Sequence, residues 1–458
     1  HLITEFCEKM AKYAKIMNKR RALIMLIEFK VKNFASFKNE TILSAETGER
    51  LRKYKGINTF EDGPVSLLKN LLILGPNGSG KTELLNALRT MDTIVERGGT
   101  ASVTDQLPYN PFAFDPDETK GDTGFSIIIQ VANKIYNYSF KYNADEITYE
   151  KLSLLSGDKE KIYFERKLQR FVKLPKSLEG LSSKLRKNAL FLFLAQQNND
   201  QNSANVYRWF REDLIYVTSE PIGIPQYLLG LIKNNDLKNE LVSFLEFADF
   251  NIIDLEVEKV PLTINPDMKD FADKMNLPMS VNSLQLFTEH KVYDSSGKVV
   301  GKQKMPILAE STGTAQVCLI ALLIIWAQVH KNNKTIIMDE FDNSLHHELA
   351  SALITIFNSA ENNNQFILTT HDLQLLDNNL RTDQIYLLDK DFKGISDLKS
   401  IFDFNDSRNI GRSDLSLAKR YLKGRYGAMP VIDVDGLMDV LKSTHQKLNG
   451  DTNESNKA

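Results

Sequence analysis

A glycine-rich segment between an apolar run and a helical pattern restricts the fold of this chain more than any other feature. Residues 71–74 are apolar and fit a short buried strand, and 83–96 carry leucine and methionine at helical spacing. Between them stands the pattern G-x-x-x-x-G-K-[ST], formed by Gly75, Pro76, Asn77, Gly78, Ser79, Gly80, Lys81 and Thr82. A strand, this loop and a helix in that order predict an α/β fold with a phosphate-binding loop.

The same pattern predicts how a nucleotide is held. Glycines let the backbone approach an anion closely, and the free N–H groups at the start of a helix point at phosphate. Lys81 is expected to reach the β- and γ-phosphates, and the Thr82 hydroxyl to bind Mg²⁺. We therefore predict that residues 76–82 bind ATP together with Mg²⁺.

A second apolar run, 335–338, ends in Asp339 and Glu340. In open α/β sheets, ligands bind at the carboxyl ends of the strands. We predict that Asp339 holds Mg²⁺ and that Glu340 polarises the attacking water as a general base. Taken alone, such a run commonly means only a strand entering a loop. Paired with Lys81, it indicates ATP hydrolysis.

A third strand pattern, 365–369, is followed by Thr370, His371 and Asp372. A lone histidine after a strand is more often a capping or core residue than a catalytic one. Here one helical segment, 348–359, separates it from the acid strand, so a parallel register would bring His371 to the same edge. We predict that His371 acts there as a catalytic residue that contacts the γ-phosphate.

Small polar residues at 310–314 precede a strongly apolar helical run at 315–327. The start of such a helix can bind an anion, which makes Ser311 and Gly313 candidate nucleotide ligands. Taken alone, these residues are more often an ordinary serine N-cap than an anion site. The residues by themselves therefore favour the N-cap without excluding the anion site.

Composition is typical of a soluble intracellular protein. The formal net charge is −2, so the molecule as a whole lacks an electrostatic footprint for nucleic acid. Its cysteines, Cys7 and Cys318, lie too far apart in sequence to suggest a disulfide framework. The longest apolar run, 317–327, is shorter than the roughly 20 residues that span a bilayer. We expect a cytoplasmic protein without membrane contact.

The patterns divide the chain into five parts. No heptad pattern persists in the middle of the chain, so no long coiled-coil arm is expected there. Helices are expected there near 180–197 and 224–249, and strands near 252–260 and 284–305, the last folded back on itself at 294–297. The parts are a helical extension (1–24), a first half of the nucleotide-binding domain (25–150), a mixed helical and strand insertion or lid (151–305), a second half with the acids and the histidine (306–442), and a disordered tail (443–458).

The order of these motifs, with a large insertion after the first, resembles that of ABC-type ATPase heads, a group that includes RecF, SMC and OLD-like ATPases. The resemblance implies an α/β head in which a P-loop sheet with flanking helices is joined to an antiparallel β subdomain. It also implies that Ser311 and Gly313 bind the γ-phosphate of a second subunit. ATP sites would then be shared within a homodimer or a higher homo-oligomer.

The resemblance extends to two further segments. Residues 343–346, Asn-Ser-Leu-His, occupy the place of the D-loop, which crosses the dimer interface in such heads. Residues 33–37, Asn-Phe-Ala-Ser-Phe, match a turn that follows the first strand and approaches the nucleotide. The resemblance therefore adds Asn33, Phe34 and Ser36 to the predicted nucleotide-binding residues.

More narrowly, the chain resembles prokaryotic ATPases of the AbiL/RloA type, which are linked to abortive infection and phage defence, and is related to the ATPase subunit of the PARIS system. The residues that carry this match are 34–37, 310–314, 339–340 with 345–346, 370–372 and 421–430. The narrower resemblance implies an ATPase that controls a separately encoded effector, a nuclease, with a phage protein or DNA as the trigger.

Other interpretations compete with this one. A RecF/SMC-like repair ATPase would bind DNA directly, although the near-neutral charge and the missing coiled coil count against it. A regulatory ATPase without any nucleic-acid link is a third class. His346 and His347 are not expected to bind metal, because no cysteine or further histidine completes a site. The Asp433-x-Asp435 pair follows no acidic centre of the kind a Toprim nuclease needs, so we expect any nuclease to be another protein.

Overall fold

A computed structural model describes most of the chain. The described residues are 23–48, 51–61, 63–100, 102–157, 159–217, 224–248, 251–263, 280–329, 333–404, 416–426, 433–441 and 443. The predicted helical extension at 1–24 and the predicted tail at 443–458 therefore lie almost wholly outside the described residues.

Strands dominate the first third of the chain and alternate with helices in the last. The strands are β1 (Ile24–Lys32), β2 (Thr41–Ser44), β3 (Thr59–Phe60), β4 (Leu67–Leu68), β5 (Asn70–Leu74), β6 (Thr123–Val131), β7 (Lys134–Tyr142), β8 (Ile147–Ser156), β9 (Lys159–Lys167), β10 (Arg170–Lys173), β11 (Leu214–Val217), β12 (Asp254–Thr263), β13 (Ser280–Tyr293), β14 (Val299–Pro306), β15 (Thr335–Met338), β16 (Gln365–Thr370), β17 (Ile385–Lys390) and β18 (Ser396–Ser400). The α-helices are α1 (Lys81–Arg97), α2 (Phe191–Gln197), α3 (Gln201–Arg208), α4 (Gln226–Leu229), α5 (Asn235–Phe247), α6 (Thr312–Val329), α7 (His347–Phe357) and α8 (Leu417–Leu422).

The centre of the fold is a six-stranded sheet with the order β11–β15–β16–β5–β17–β18. Its first five strands run parallel, and β18 is antiparallel to β17. Both faces are covered, as parallel sheets require. Alternate side chains of β5 therefore enter two different hydrophobic clusters: Leu71 and Ile73 pack with α1, whereas Leu72 and Leu74 pack with α6 and α7.

A second, antiparallel sheet has the order β10–β9–β8–β7–β6–β1–β2 and shares the cluster around α1. It continues past residue 150 to Lys173, so its last strands come from the segment predicted as an insertion. Inside it, Arg166 and Glu150 form a fully buried ion pair at 2.8 Å, and Glu150 also accepts the backbone N–H groups of Phe191 and Leu192. The predicted domain boundaries stay predictions, but this sheet crosses one of them.

Gln365, at the start of β16, fastens the two sheets together. Its amide oxygen accepts from the Leu26 N–H at 3.1 Å and from the Thr335 hydroxyl at 3.2 Å. Its amide nitrogen donates to the carbonyls of Leu26 at 3.0 Å and Leu68 at 3.2 Å. Because a buried amide without partners is costly, these bonds fix β1 against β16 at one end of the parallel sheet.

Residues 151–305 contain both helices and strands, and one of the helices is shorter than expected. The hairpin predicted around 294–297 is confirmed by β13 and β14. The helix expected over 180–197 is wrong in its first half: a 3₁₀ segment ends at Lys184, and α2 begins only at Phe191. Leu178 is the one buried side chain of that 3₁₀ segment, so it has too little apolar surface to hold a longer helix in place.

Helix α6 is apolar on all sides. By length and composition it is apolar enough to cross a membrane, but 67% of it is buried within the protein. Its side chains belong to the cluster that also contains α7 and one face of the parallel sheet. A helix that is hydrophobic all round is expected at such a place, so the position of α6 in the core explains its composition.

Candidate nucleotide-binding site

The glycine-rich loop lies between β5 and α1, as predicted, and its glycines are there for steric reasons. Gly80 has φ 110°, and a side chain on it would come within 2.6 Å of the Ser396 hydroxyl and 2.7 Å of the Ser36 hydroxyl. A side chain on Gly75 would meet the Leu388 carbonyl at 2.3 Å. Both positions therefore require glycine, because the loop packs closely against the residues behind it.

Ser36 and Ser396 hold this loop from behind. The Ser396 hydroxyl contacts the Ser36 hydroxyl at 2.7 Å and the Ser79 carbonyl at 2.6 Å. The Ser396 N–H donates to the Ser36 carbonyl at 2.8 Å. The predicted turn at 33–37 is thus tied to the loop through β18, and Ser36 supports the phosphate-binding backbone rather than lying on its open side.

The other two predicted residues of that turn are buried and already occupied. The Asn33 side chain donates to the carbonyls of Glu118 and Gly121 and accepts from the Phe112 N–H. Phe34 packs against Phe125 with ring centroids 5.7 Å apart. These contacts give Asn33 and Phe34 structural roles, so a direct bond from the Asn33 amide to nucleotide would require breaking this network.

Lys81 lies at the start of α1 and folds back over its own loop. Its ammonium donates to the carbonyls of Gly75 at 2.8 Å and Pro76 at 3.2 Å, and it lies 3.5 Å from Nδ1 of His371. Burial lowers the pKa of Lys81, while the nearby carboxylates of Glu340 and Asp339 act in the opposite direction. A buried ammonium held only by carbonyls is well prepared to take a phosphate as its counter-ion.

Asp339 stands at the end of β15 and faces the loop. Its carboxylate accepts from the Thr82 hydroxyl at 2.8 Å and from the Thr369 hydroxyl at 2.5 Å. A carboxylate and a hydroxyl at hydrogen-bond distance form an oxygen donor pair that suits Mg²⁺, which takes few protein ligands and completes its shell with phosphate and water. In the described ranges no group of three or more His, Cys, Asp or Glu side chains is placed to hold a metal alone.

Glu340 and His371 form the open side of the site. Glu340 Oε1 lies 3.5 Å from His371 Nε2, and the two side chains are 42% and 39% exposed. Glu340 also has φ 45°, a left-handed conformation that non-glycine residues adopt uncommonly. The backbone bond from Glu340 N–H to the Thr369 hydroxyl, at 2.7 Å, holds that conformation. A carboxylate on this open side has room for a water molecule next to it.

The structure adds residues that the sequence did not single out. Thr369 bridges Asp339 and the Glu340 backbone, as described above. Its neighbour Thr370 donates to Asp342 at 2.6 Å, and burial raises the pKa of Asp342. Nδ1 of His347 lies 2.6 Å from the carboxylate of Asp372, so this histidine already has a partner within the chain. The sequence signal for these roles was the pair of threonines at the end of an otherwise apolar strand. Ligands bind at the carboxyl ends of parallel strands, so polar side chains there are candidates for the site.

Ser311 and Gly313 lie at the start of α6, away from the groups described so far. Ser311 caps the helix, since its hydroxyl accepts from the Thr314 N–H at 3.1 Å, and its side chain is exposed. Within the described parts of the chain, no hydrogen bond or ion pair connects Ser311 or Gly313 with Lys81, Glu340 or His371. The chain brings the loop, the acids and His371 together but leaves the start of α6 apart.

The start of α6 is instead joined to the loop that follows Glu340. A side chain on Gly313 would come within 2.5 Å of the Ser344 carbonyl, so the two backbones touch. One turn later, the Gln316 amide donates to the Phe341 carbonyl at 2.9 Å. The start of α6 is therefore packed against residues 341–344.

A family model described as "AAA domain, putative AbiEii toxin, Type IV TA system" matches residues 71–377. The chain belongs to this family. The match runs from β5 through the loop, the acids and His371, whereas the supporting residues Ser36 and Ser396 lie outside it. Together with the sheet order, it makes this chain a P-loop ATPase of the ABC type, with an α/β head. No curated protein shows significant similarity to the sequence.

Solved structures similar to the chain include heads of SMC proteins. The SMC head domain from Thermotoga maritima is 12% identical with a TM-score of 0.37, and the alignment covers 82% of this chain and 98% of that one. An SMC head from Pyrococcus furiosus, with an extended coiled coil and bound to the C-terminal domain of ScpA, is 13% identical with a TM-score of 0.35, covering 88% and 98%. At these scores the fold assignment rests on the sheet order and the family match.

Replacing Thr369 by valine tests the bridge between the two acids. The change keeps the shape of the side chain but removes the hydroxyl that orients Asp339 and the Glu340 backbone. We expect ATP turnover to fall roughly 10- to 100-fold, the usual cost of losing a group that orients a metal ligand. Thr369→Ser keeps the hydroxyl and is the matched control, which should retain most activity. Equal turnover in the valine and serine variants would contradict the assigned role.

Proposed function

We propose that the chain hydrolyses ATP in sites shared between two copies, in the cytoplasm, and that its nucleotide state controls a separately encoded effector of an anti-phage system. The observation that carries the proposal is the open corner of the site. Lys81, Asp339 and Glu340 converge at one edge, while Ser311, at an exposed helix start, has no hydrogen bond or ion pair with them among the described residues.

Binding begins with the phosphates. The backbone N–H groups of the loop and of the start of α1 donate hydrogen bonds to the phosphates. The Lys81 ammonium releases the loop carbonyls to which it donates in this structure and binds the β- and γ-phosphate oxygens instead. Thr82 and Asp339 would hold Mg²⁺, which supplies positive charge between the phosphate oxygens when bound. In this arrangement the γ-phosphate lies towards Glu340 and His371.

Hydrolysis then requires a water molecule in line with the γ-phosphate. The Glu340 carboxylate orients this water and accepts its proton as the new P–O bond forms and the bond to ADP breaks. His371, between Lys81 and Glu340, donates a hydrogen bond to the γ-phosphate. It therefore responds to whether that group is still present. The balanced reaction is ATP and water to ADP and phosphate.

A second copy would close the open corner. The exposed N-terminus of α6, capped by Ser311, would offer the positive end of a helix dipole to an anion. Supplied by a partner, it would cover the γ-phosphate and exclude bulk water. In its own chain, α6 contacts the segment that follows Glu340. Closure of one site by a partner's α6 would therefore also affect the position of Glu340 in that partner's own site.

The proposed biological role rests on the family. Its description names a toxin–antitoxin system, which agrees with the resemblance to AbiL/RloA-type ATPases and to the PARIS ATPase subunit. In such a system the ATPase is the switch, and a separate effector, a nuclease, delivers toxicity once a phage protein or DNA acts as the trigger. The Asp433 carboxylate is used locally, accepting the Gly436 N–H at 2.9 Å, which suits a capping role better than a nuclease centre.

Replacing Glu340 by glutamine separates binding from hydrolysis. The change removes the group that accepts the proton of the water, so we expect turnover to fall ~10²–10⁴-fold with ATP and Mg²⁺ still bound. Lys81→Ala should instead weaken nucleotide binding itself, because a buried phosphate-facing charge is lost. Steady-state turnover and nucleotide titration measure the two effects. Normal turnover in the glutamine variant would remove Glu340 from the role of general base.

Mixing two inactive variants tests the shared sites. Ser311→Arg places bulk and charge at the helix start, and Lys81→Ala disables the loop, so each chain alone should be nearly inactive. In a hybrid dimer one site keeps both intact halves, and an equal mixture should recover up to about a quarter of wild-type activity. Ser183→Arg, at another exposed serine, is the control for the arginine itself. Absence of rescue, with a specific activity independent of protein concentration, would count against shared sites.

The proposed role in defence is tested by the effector. Expressed alone, the chain should hydrolyse ATP without cleaving nucleic acid and without harming its host; toxicity should require the product of a neighbouring gene. Metal-dependent cleavage by the purified chain, lost in Asp433→Ala, would place the nuclease here instead. Tight, salt-dependent DNA binding would favour a repair ATPase of the RecF/SMC kind, since phosphate contacts make affinity fall steeply with salt.

A further inference from the structure

Two phenylalanines are strongly exposed at one corner of the nucleotide-binding domain. Phe392 is 94% exposed and Phe114 is 75% exposed, the two highest values among the large apolar side chains of the described residues. Single exposed apolar residues are common on protein surfaces, but two aromatic side chains at one spot are a recognised mark of a binding site. The question is what they bind.

Phe392 stands on a turn that is held rigidly. The β17–β18 turn is closed by the bond from the Gly394 N–H to the Asp391 carbonyl at 3.0 Å, and the Asp391 carboxylate accepts the N–H groups of Lys393 at 2.9 Å and Ile395 at 2.8 Å. The ring is therefore presented from a fixed backbone. A ligand that stacks on the ring therefore does not have to order the backbone of the turn first.

Phe114 is brought to the same turn from a distant part of the chain. Its ring lies against Gly394, where an added side chain would come within 2.8 Å of it. The loop that carries Phe114 is anchored by the bond from the Phe112 N–H to the Asn33 amide oxygen at 3.0 Å, and by the contact between Lys38 and Asp115. The buried Asn33 thus positions an exposed ring near the nucleotide-binding loop.

The turn flanks the phosphate-binding loop on the side opposite to the acids. Gly75 lies against the Leu388 carbonyl, and the Ser79 carbonyl contacts the Ser396 hydroxyl, so β17 and β18 border the loop at both its ends. On the other side of β5 stand β16 and β15, which carry His371 and the acids. A nucleotide with its γ-phosphate towards those acids extends its nucleoside end towards the β17–β18 turn.

We propose that Phe392 and Phe114 form a stacking platform for the nucleobase of the bound nucleotide. This inference rests on the proposed ATP binding and goes beyond it, because it assigns the base subsite to two residues outside every motif of the sequence. Lys393 lies 5.6 Å from the centre of the Phe392 ring, which adds a cation beside the platform. Since every base has a π-face, stacking of this kind discriminates little between adenine and guanine.

Calorimetric titration of the full chain with ADP and with pyrophosphate, both in the presence of Mg²⁺, tests the platform. ADP carries the base and pyrophosphate does not, and neither has a γ-phosphate to bring two copies together. Phe392→Ala should weaken ADP binding roughly 5- to 100-fold, the usual range for a lost base–aromatic stack, and leave pyrophosphate binding unchanged. Phe392→Trp keeps an aromatic ring at this position and should bind ADP about as tightly as the wild-type protein. Phe114→Ala should act in the same direction, and Tyr293→Ala, at an aromatic residue 54% exposed elsewhere, is the matched control.

The outcomes are distinct. Equal affinity of the wild-type protein and of Phe392→Ala for ADP would overturn the platform and leave the proposed ATPase function intact. Equal weakening of ADP and pyrophosphate would also overturn it, because the effect would then lie in the phosphate loop. If Phe392→Ala weakens self-association, measured by sedimentation, and leaves ADP binding unchanged, the corner is a protein interface instead. Wild-type protein that binds neither ligand would overturn the proposed function together with the platform.

Discussion

The site depends on the parallel register of three neighbouring strands. Met338 of β15 stands beside Leu368 of β16, and Thr370 of β16 stands beside Leu74 of β5. The segments that follow these strands therefore emerge at one edge, although more than 250 residues separate β5 from β15 in the chain. Lysine, carboxylates and histidine meet there because the backbone hydrogen bonds of the sheet allow no other alignment of buried strands. A slip of one residue would turn alternate side chains to the wrong cluster.

The sequence was sufficient for the centre of the site and for the fold class. The loop, both acids and His371 follow from local patterns combined with one rule about parallel strands. The roles of Thr369 and Ser396 did not follow, since they are contacts across 30 and 317 residues of chain, and for Thr369 the only local signal was its place at the end of an apolar strand. Asn33 lies in a segment that the sequence did single out, but its role differs from the expected one. Its amide holds a loop, which only the folded chain brings next to it.

The segment after Glu340 links several parts of the molecule. It begins with a residue in a left-handed conformation, touches the start of α6 at Ser344, and receives a hydrogen bond from Gln316. The segment has two well-defined neighbours, Glu340, the proposed general base, on one side and the start of α6 on the other. Such an arrangement suits a switch, because a displacement at either end has a direct packed route to the other.

The position of β5 also bears on how the chain is made. This early strand lies between β16 and β17, which are synthesised roughly 300 residues later, so the sheet cannot close while the chain is still short. A ribosome must release residues up to about Lys390 before the loop at 75–82 has strands on both sides to shape it. Fragments that end earlier would carry the full glycine-rich motif and yet lack a formed pocket. Premature termination would therefore yield inert pieces rather than an unregulated half-enzyme.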